Sequence, residues 1–62
     1  MDRAAALDEL PEVHAVALRL HDAGHDNTTI ATALGVEVES VALILSVAEA
    51  KLARLTTHVP PP

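Results

Sequence analysis

Pro11, Gly24 and Gly35 break this 62-residue chain at three points, and between the breaks the apolar residues recur at helical spacing. Proline removes a backbone donor and disfavours helical geometry in the residue before it, but suits the start of a new helix. Glycine admits the left-handed conformation in which helices commonly end. The punctuation therefore predicts an all-α chain of three to four helices. A short helix is expected over 2–9, with Asp2 as its cap and Ala4, Ala5, Ala6 and Leu7 as good helix formers. A second is expected over about 11–23, with Glu12 in its first turn and a stripe of Leu10, Val13, Ala17 and Leu20 widened by Val16. A third is expected over 28–34, capped by Asp26 or Thr28, with Ile30, Ala31 and Leu34 on one side. Val36 is expected to plug the corner after Gly35.

The last and longest helix is expected over 37–55. Val38, Val41, Leu45, Ala48, Leu52 and Leu55 alternate spacings of three and four, which draws one continuous apolar seam. Glu37 and Glu39 suit its N-terminal dipole, and Lys51 and Arg54 its C-terminal end. Residues 1–55 read as a single domain, and 56–62, closing on three prolines, as a disordered Pro-rich tail.

A domain of about 60 residues buries only about 60% of its unfolded-chain surface. Here there is no Phe, Tyr, Trp or Cys to reinforce the core. Small scaffolds without such support often rely on association, so a homo-oligomer is expected. The formal net charge is −5, with nine acidic side chains against Arg3, Arg19, Lys51 and Arg54. That balance argues against nucleic acid or an anionic membrane as the default partner. No stretch is long enough to span a bilayer, and Met-Asp-Arg-Ala-Ala-Ala lacks an apolar signal region, so a cytoplasmic location is expected.

The segment Ile30-Ala31-Thr32-Ala33-Leu34-Gly35-Val36-Glu37-Val38-Glu39-Ser40-Val41 resembles region 4 of bacterial sigma factors, and is similar to the C-terminal helix-turn-helix of LuxR-type regulators. Both use an Ile-Ala-x-x-Leu-Gly-(Val or Ile) helix and turn followed by a (Thr or Ser)-Val pair. The likeness runs from about Leu10 to Leu55. It implies an orthogonal three- to four-helix bundle containing a helix-turn-helix, whose second helix would enter the DNA major groove. It identifies a fold better than a function.

The departures fall on the positions that would touch DNA. After Ser40-Val41, where the family carries basic or polar residues, this chain has Ala42, Leu43 and Ile44, and further on Val47, Glu49 and Ala50. No lysine or arginine occurs from Asp26 to Ala50, whereas groove binding depends on cations that displace counterions from phosphate. At ~100° per residue, Leu43 and Val47 lie nearly opposite Leu45 and Leu52, with Ile44 to one side. If the seam faces the core, Leu43, Ile44, Val47 and Ala50 form an outward apolar face, and exposed apolar patches mark interfaces. The alternative is that the N-terminal helix folds over Leu43 and Val47 through Ala4, Ala5 and Leu7.

The expected function is therefore non-enzymatic association, through that face, with a second copy or another protein in transcription regulation. The alternative is a DNA-binding regulator in which Arg19, Lys51 and Arg54 contact phosphate and Ser40 touches a base or phosphate. A membrane-surface helix lacks the flanking cations it needs. His14 and His21 share a helix face, but no spacing resembles a closed metal site, so the histidines read as solvated residues beside the core stripe. Nothing pairs Thr28, Thr29, Thr56 or Thr57 with a base, and no glycine-rich phosphate loop is present, so neither catalytic residues, a cofactor nor a small-molecule substrate is expected.

Overall fold

A computed structural model describes residues 2–56 of the chain. Four helices follow one another: α1 (Arg3–Glu9), α2 (Glu12–Asp22), α3 (Asn27–Leu34) and α4 (Val38–Thr56). The fold class is the all-α bundle that the punctuation implies, and each helix end has a local cause. The Asp2 carboxylate accepts the Ala5 N–H at 2.8 Å at the start of α1, and the Asp26 carboxylate accepts the Thr29 N–H at 2.8 Å at the start of α3. These bonds satisfy donors that have no partner within the helix. Leu10, held by Pro11 away from helical geometry, is extended (φ −80°, ψ 154°) and ends α1. Pro11 stands one position before α2 rather than inside it, and its carbonyl accepts the Ala15 N–H at 2.9 Å.

Gly24 and Gly35 terminate α2 and α3 by the same device. Both are left-handed, with φ of 92° and 71°. His25 N–H reaches back to the Leu20 carbonyl while Gly24 N–H bonds that of His21; Val36 N–H reaches Ala31 while Gly35 N–H bonds Thr32. Each pair is a Schellman arrangement, closing carbonyls the helix leaves open. The second also sets direction: across the turn at residues 35–37, α4 leaves at 90° to α3. Thr56, expected in the tail, is the last residue of α4, and its hydroxyl donates to the Leu52 carbonyl at 3.0 Å. The rest of the tail expectation falls on residues 57–62, outside the described residues.

Two clusters make the core. Ala6, Leu7, Leu10, Ala15, Leu18, Ala48 and Leu52 join α1, α2 and the C-terminal half of α4. Ala17, Ile30, Ala31 and Val41, with Leu20, Leu34, Val36 and Ile44 against them, join α2, α3 and the N-terminal half of α4. Leu45 packs on both. Alanines take five of these buried places, so the helices approach one another closely. The corner role of Val36 fits its half-buried place in the second cluster.

Three stripe residues depart from the periodic reading. Val13 is 46% exposed. α2 supplies residues to both clusters, and its buried side chains are Ala15, Ala17 and Leu18, while Val13 stands in the first turn of the helix. Val38 and Leu55 are exposed because they sit at the two ends of α4, beyond its neighbours.

α1 is held by charge as well as by Ala6 and Leu7. Arg3 Nε and Nη2 donate to the two Asp22 oxygens at 2.9 and 3.0 Å, and Nη2 also reaches Glu49 Oε1 at 3.3 Å. One guanidinium thus ties α1 to the end of α2 and the middle of α4. Its hydrogen bonds hold the Asp22 carboxyl below the usual carboxylate range.

Candidate outward face of the last helix

The seam of α4 orients the opposite side of the same helix. Val41, Ala48 and Leu52 are buried, Leu45 is half-buried, and α1, α2 and α3 all pack on that side. The face turned away carries Leu43, 67% exposed, Val47, 39% exposed, and Ala50, also exposed. Leu43 is the most exposed of the large hydrophobic residues among the described residues. α1 does not cover it. Leu7 points into the cluster with Ala48 and Leu52, and Ala4 and Ala5 face solvent.

Ile44 departs from the outward reading. It is half-buried and packs on the Ala17, Ile30, Ala31 and Val41 cluster. The reason is angular: Ile44 follows Val41 by three residues and precedes Ala48 by four, so it flanks the seam, as Leu45 does on the other side. The outward apolar face is therefore Leu43, Val47 and Ala50.

The four cations do not act together. Arg3 is engaged by Asp22 and Glu49, and Arg19 Nη2 by Asp8. Arg19, a candidate phosphate contact, thus already faces a carboxylate. Among the described residues Lys51 and Arg54 have no carboxylate within ion-pair distance, and both are exposed in the last turns of α4. Ser40 is half-buried, with its N–H bonded to the Glu37 carbonyl at 2.9 Å. At the other end Glu37 and Glu39 are exposed. The helix therefore runs from an acidic beginning, through an aliphatic middle, to a basic end.

His14 is half-buried on the buried arc of α2, and its Nδ1 is enclosed without a hydrogen-bond partner. It is not the solvated histidine the spacing suggested; His21 and His25 are exposed. Among the described residues no three His, Asp or Glu side chains converge as metal ligands would. No single described helix is long and apolar enough to cross a membrane. The chain matches no protein-family model, and no curated protein or solved structure is detectably similar to it.

Proposed function

We propose that this chain is a helix-turn-helix scaffold, of the kind used by sigma region 4 and LuxR-type regulators, that works by protein association through α4 rather than by reading DNA. The observation that carries the reading is Leu43, 67% exposed in the second turn of a helix whose other side is the core. A full leucine burial is worth roughly 1.5–3 kcal/mol, so a partner that covers this side chain recovers stabilisation the single subunit forgoes. Val47 and Ala50 extend the contact along the same face.

The right angle between α3 and α4 across a three-residue turn supports the helix-turn-helix part of the proposal. The charge distribution supports the rest. Two of the four cations are occupied by carboxylates of their own chain, and Glu37 and Glu39 stand where phosphate would meet the start of α4. Regulation of transcription enters by the family likeness alone.

A DNA-binding reading has one observation in its favour: Lys51 and Arg54 project from the same helix without internal partners among the described residues. Titration with mixed-sequence duplex at ~50 mM salt separates the two. The association reading expects no binding. Affinity that falls steeply with added salt would replace it with the DNA-binding one.

A further inference from the structure

We infer that the occupant of the α4 face is a second copy of this chain, packed antiparallel through a two-fold axis that passes between Ser46 and Val47. The inference rests on the reading of α4 as an association helix, and adds the partner, the direction and the register.

Glu39, Leu43, Val47, Ala50 and Arg54 are separated by four, four, three and four residues and lie on the exposed side of α4. Spacing of three and four draws a seam along one side of a helix, the geometry of a packed helix pair. The order of chemistry along that seam is acid, aliphatic, aliphatic, small, base.

A two-fold axis perpendicular to two antiparallel helices pairs each residue with the one equally far beyond the midpoint. Glu39 and Arg54 are equidistant from the point between Ser46 and Val47, and Leu43 and Ala50 are equidistant from the same point. One register therefore satisfies charge and shape at once. Glu39 meets Arg54 of the second copy at both ends, ~22 Å apart at ~1.5 Å per residue. Leu43 lies over the small Ala50 of the second copy, twice. Val47 lies beside Ser46 and Val47 of the second copy at the centre.

A parallel pair lacks both fits. It sets Glu39 against Glu39 and Arg54 against Arg54, and leaves Ala50 facing Ala50 across a gap. It also sets the two helix dipoles side by side in the same direction, whereas the antiparallel pair opposes them. Neither Glu39 nor Arg54 has an ion-pair partner in its own subunit among the described residues, so both are available. A contact made mainly by one helix per subunit falls below the ~1,200 Å² of a stable specific complex, so the dimer is of the weak, concentration-dependent class.

Sedimentation equilibrium from micromolar to millimolar chain is expected to show a monomer–dimer transition. At low salt, Glu39→Arg and Arg54→Glu each weaken dimerisation about ten-fold, because each turns two attractions into repulsions. The double reversal returns it to within about three-fold of the parent. For direction, Glu39→Cys and Arg54→Cys chains are oxidised separately and mixed: only the mixture is expected to yield covalent dimer. Circular dichroism checks that each variant keeps its helices.

A chain that stays monomeric to millimolar concentration overturns the dimer but leaves association with another protein standing. A dimer in which the Glu39→Cys chain cross-links to itself, or in which the mixture does not cross-link, overturns the antiparallel register alone. A dimer that Leu43→Glu leaves intact overturns both this inference and the association reading beneath it.

Discussion

Replacing Leu43 and Leu52 by alanine, one at a time, removes the same atoms from one helix at two depths. Leu52 is 1% exposed, between α1 and α2 in the first cluster. Leu43 is 67% exposed. A buried leucine cut to alanine costs about 2–5 kcal/mol, from lost transfer energy and the cavity left behind. Total stability at ~0.05–0.15 kcal/mol per residue is roughly 3–9 kcal/mol for a chain of this length. Leu52→Ala is thus expected to remove a large share of it, and to leave the chain partly unfolded at room temperature. Leu43 has about a third of its surface covered, so at most about 0.5–1 kcal/mol is at stake in a single subunit. Alanine's better helix propensity returns a few tenths of that. Urea denaturation followed by circular dichroism at low micromolar chain gives both values. A loss of about 2 kcal/mol or more for Leu43→Ala at that dilution would mean that this side chain is sealed within the monomer, and the association face would not exist. Repeating the titration near millimolar chain adds a second reading. The gap between parent and Leu43→Ala is expected to widen there, because the parent alone gains from self-association.

Other perturbations probe the frame that presents this face. Gly35→Ala is expected to cost about 1–2 kcal/mol in thermal or urea unfolding from the left-handed backbone alone, since a Cβ there meets no atom within 4 Å. Gly35→Asn is expected to cost less, because asparagine tolerates that conformation. The Asp22 carboxyl is held below its ordinary value by hydrogen bonds from Arg3, and Asp26 by those from the Thr29 backbone and hydroxyl. Both contributions are complete above the ordinary carboxylate value of 3.8 and are lost as pH falls through the lower folded-state values, so urea midpoints are expected to hold steady near neutrality and drop below about pH 4. Asp26→Asn, which keeps an accepting oxygen without a titrating charge, is expected to flatten that acid limb. Arg3→Met removes the contacts to Asp22 and Glu49 from exposed side chains, and is expected to cost less than about 1 kcal/mol in urea unfolding, shrinking with added salt.

Most of the fold is legible in the sequence because its signals are local. Asp2, Asp26, Gly24 and Gly35 act within a few residues of where they stand, and helix ends follow from them. The α4 seam is legible for a related reason: Val41, Leu45, Ala48 and Leu52 keep one period, and α1, α2 and α3 all pack on that single side. What is not legible is where along a helix its neighbours reach, and how far round it they extend. α2 supplies both clusters, so its buried side chains take in Ala15 and Leu18 as well as Ala17, while Val13 in its first turn stays outside. Alanine marks no face, being common on both sides of helices. The same holds at the edge of the outward face, where the cluster of Ala17, Ile30, Ala31 and Val41 takes in Ile44 but leaves Leu43 exposed. The placement of α1 was beyond reach, because Arg3 meets Asp22 and Glu49 across 19 and 46 residues of chain, and no periodic pattern encodes such a pairing.

The alanines buried between these helices carry a consequence for how the protein tolerates change. Ala6, Ala17 and Ala48 have no exposed surface at all, and alanine surrenders no side-chain rotamer freedom on folding. Such an interior is inexpensive to order. It is also intolerant of growth, because even one added methylene in a close-packed site forces neighbours out of their preferred rotamers or displaces the backbone. Sequence drift in a molecule built this way is channelled outward, onto the solvent side of α4, where side chains can change while the packing beneath them stays still.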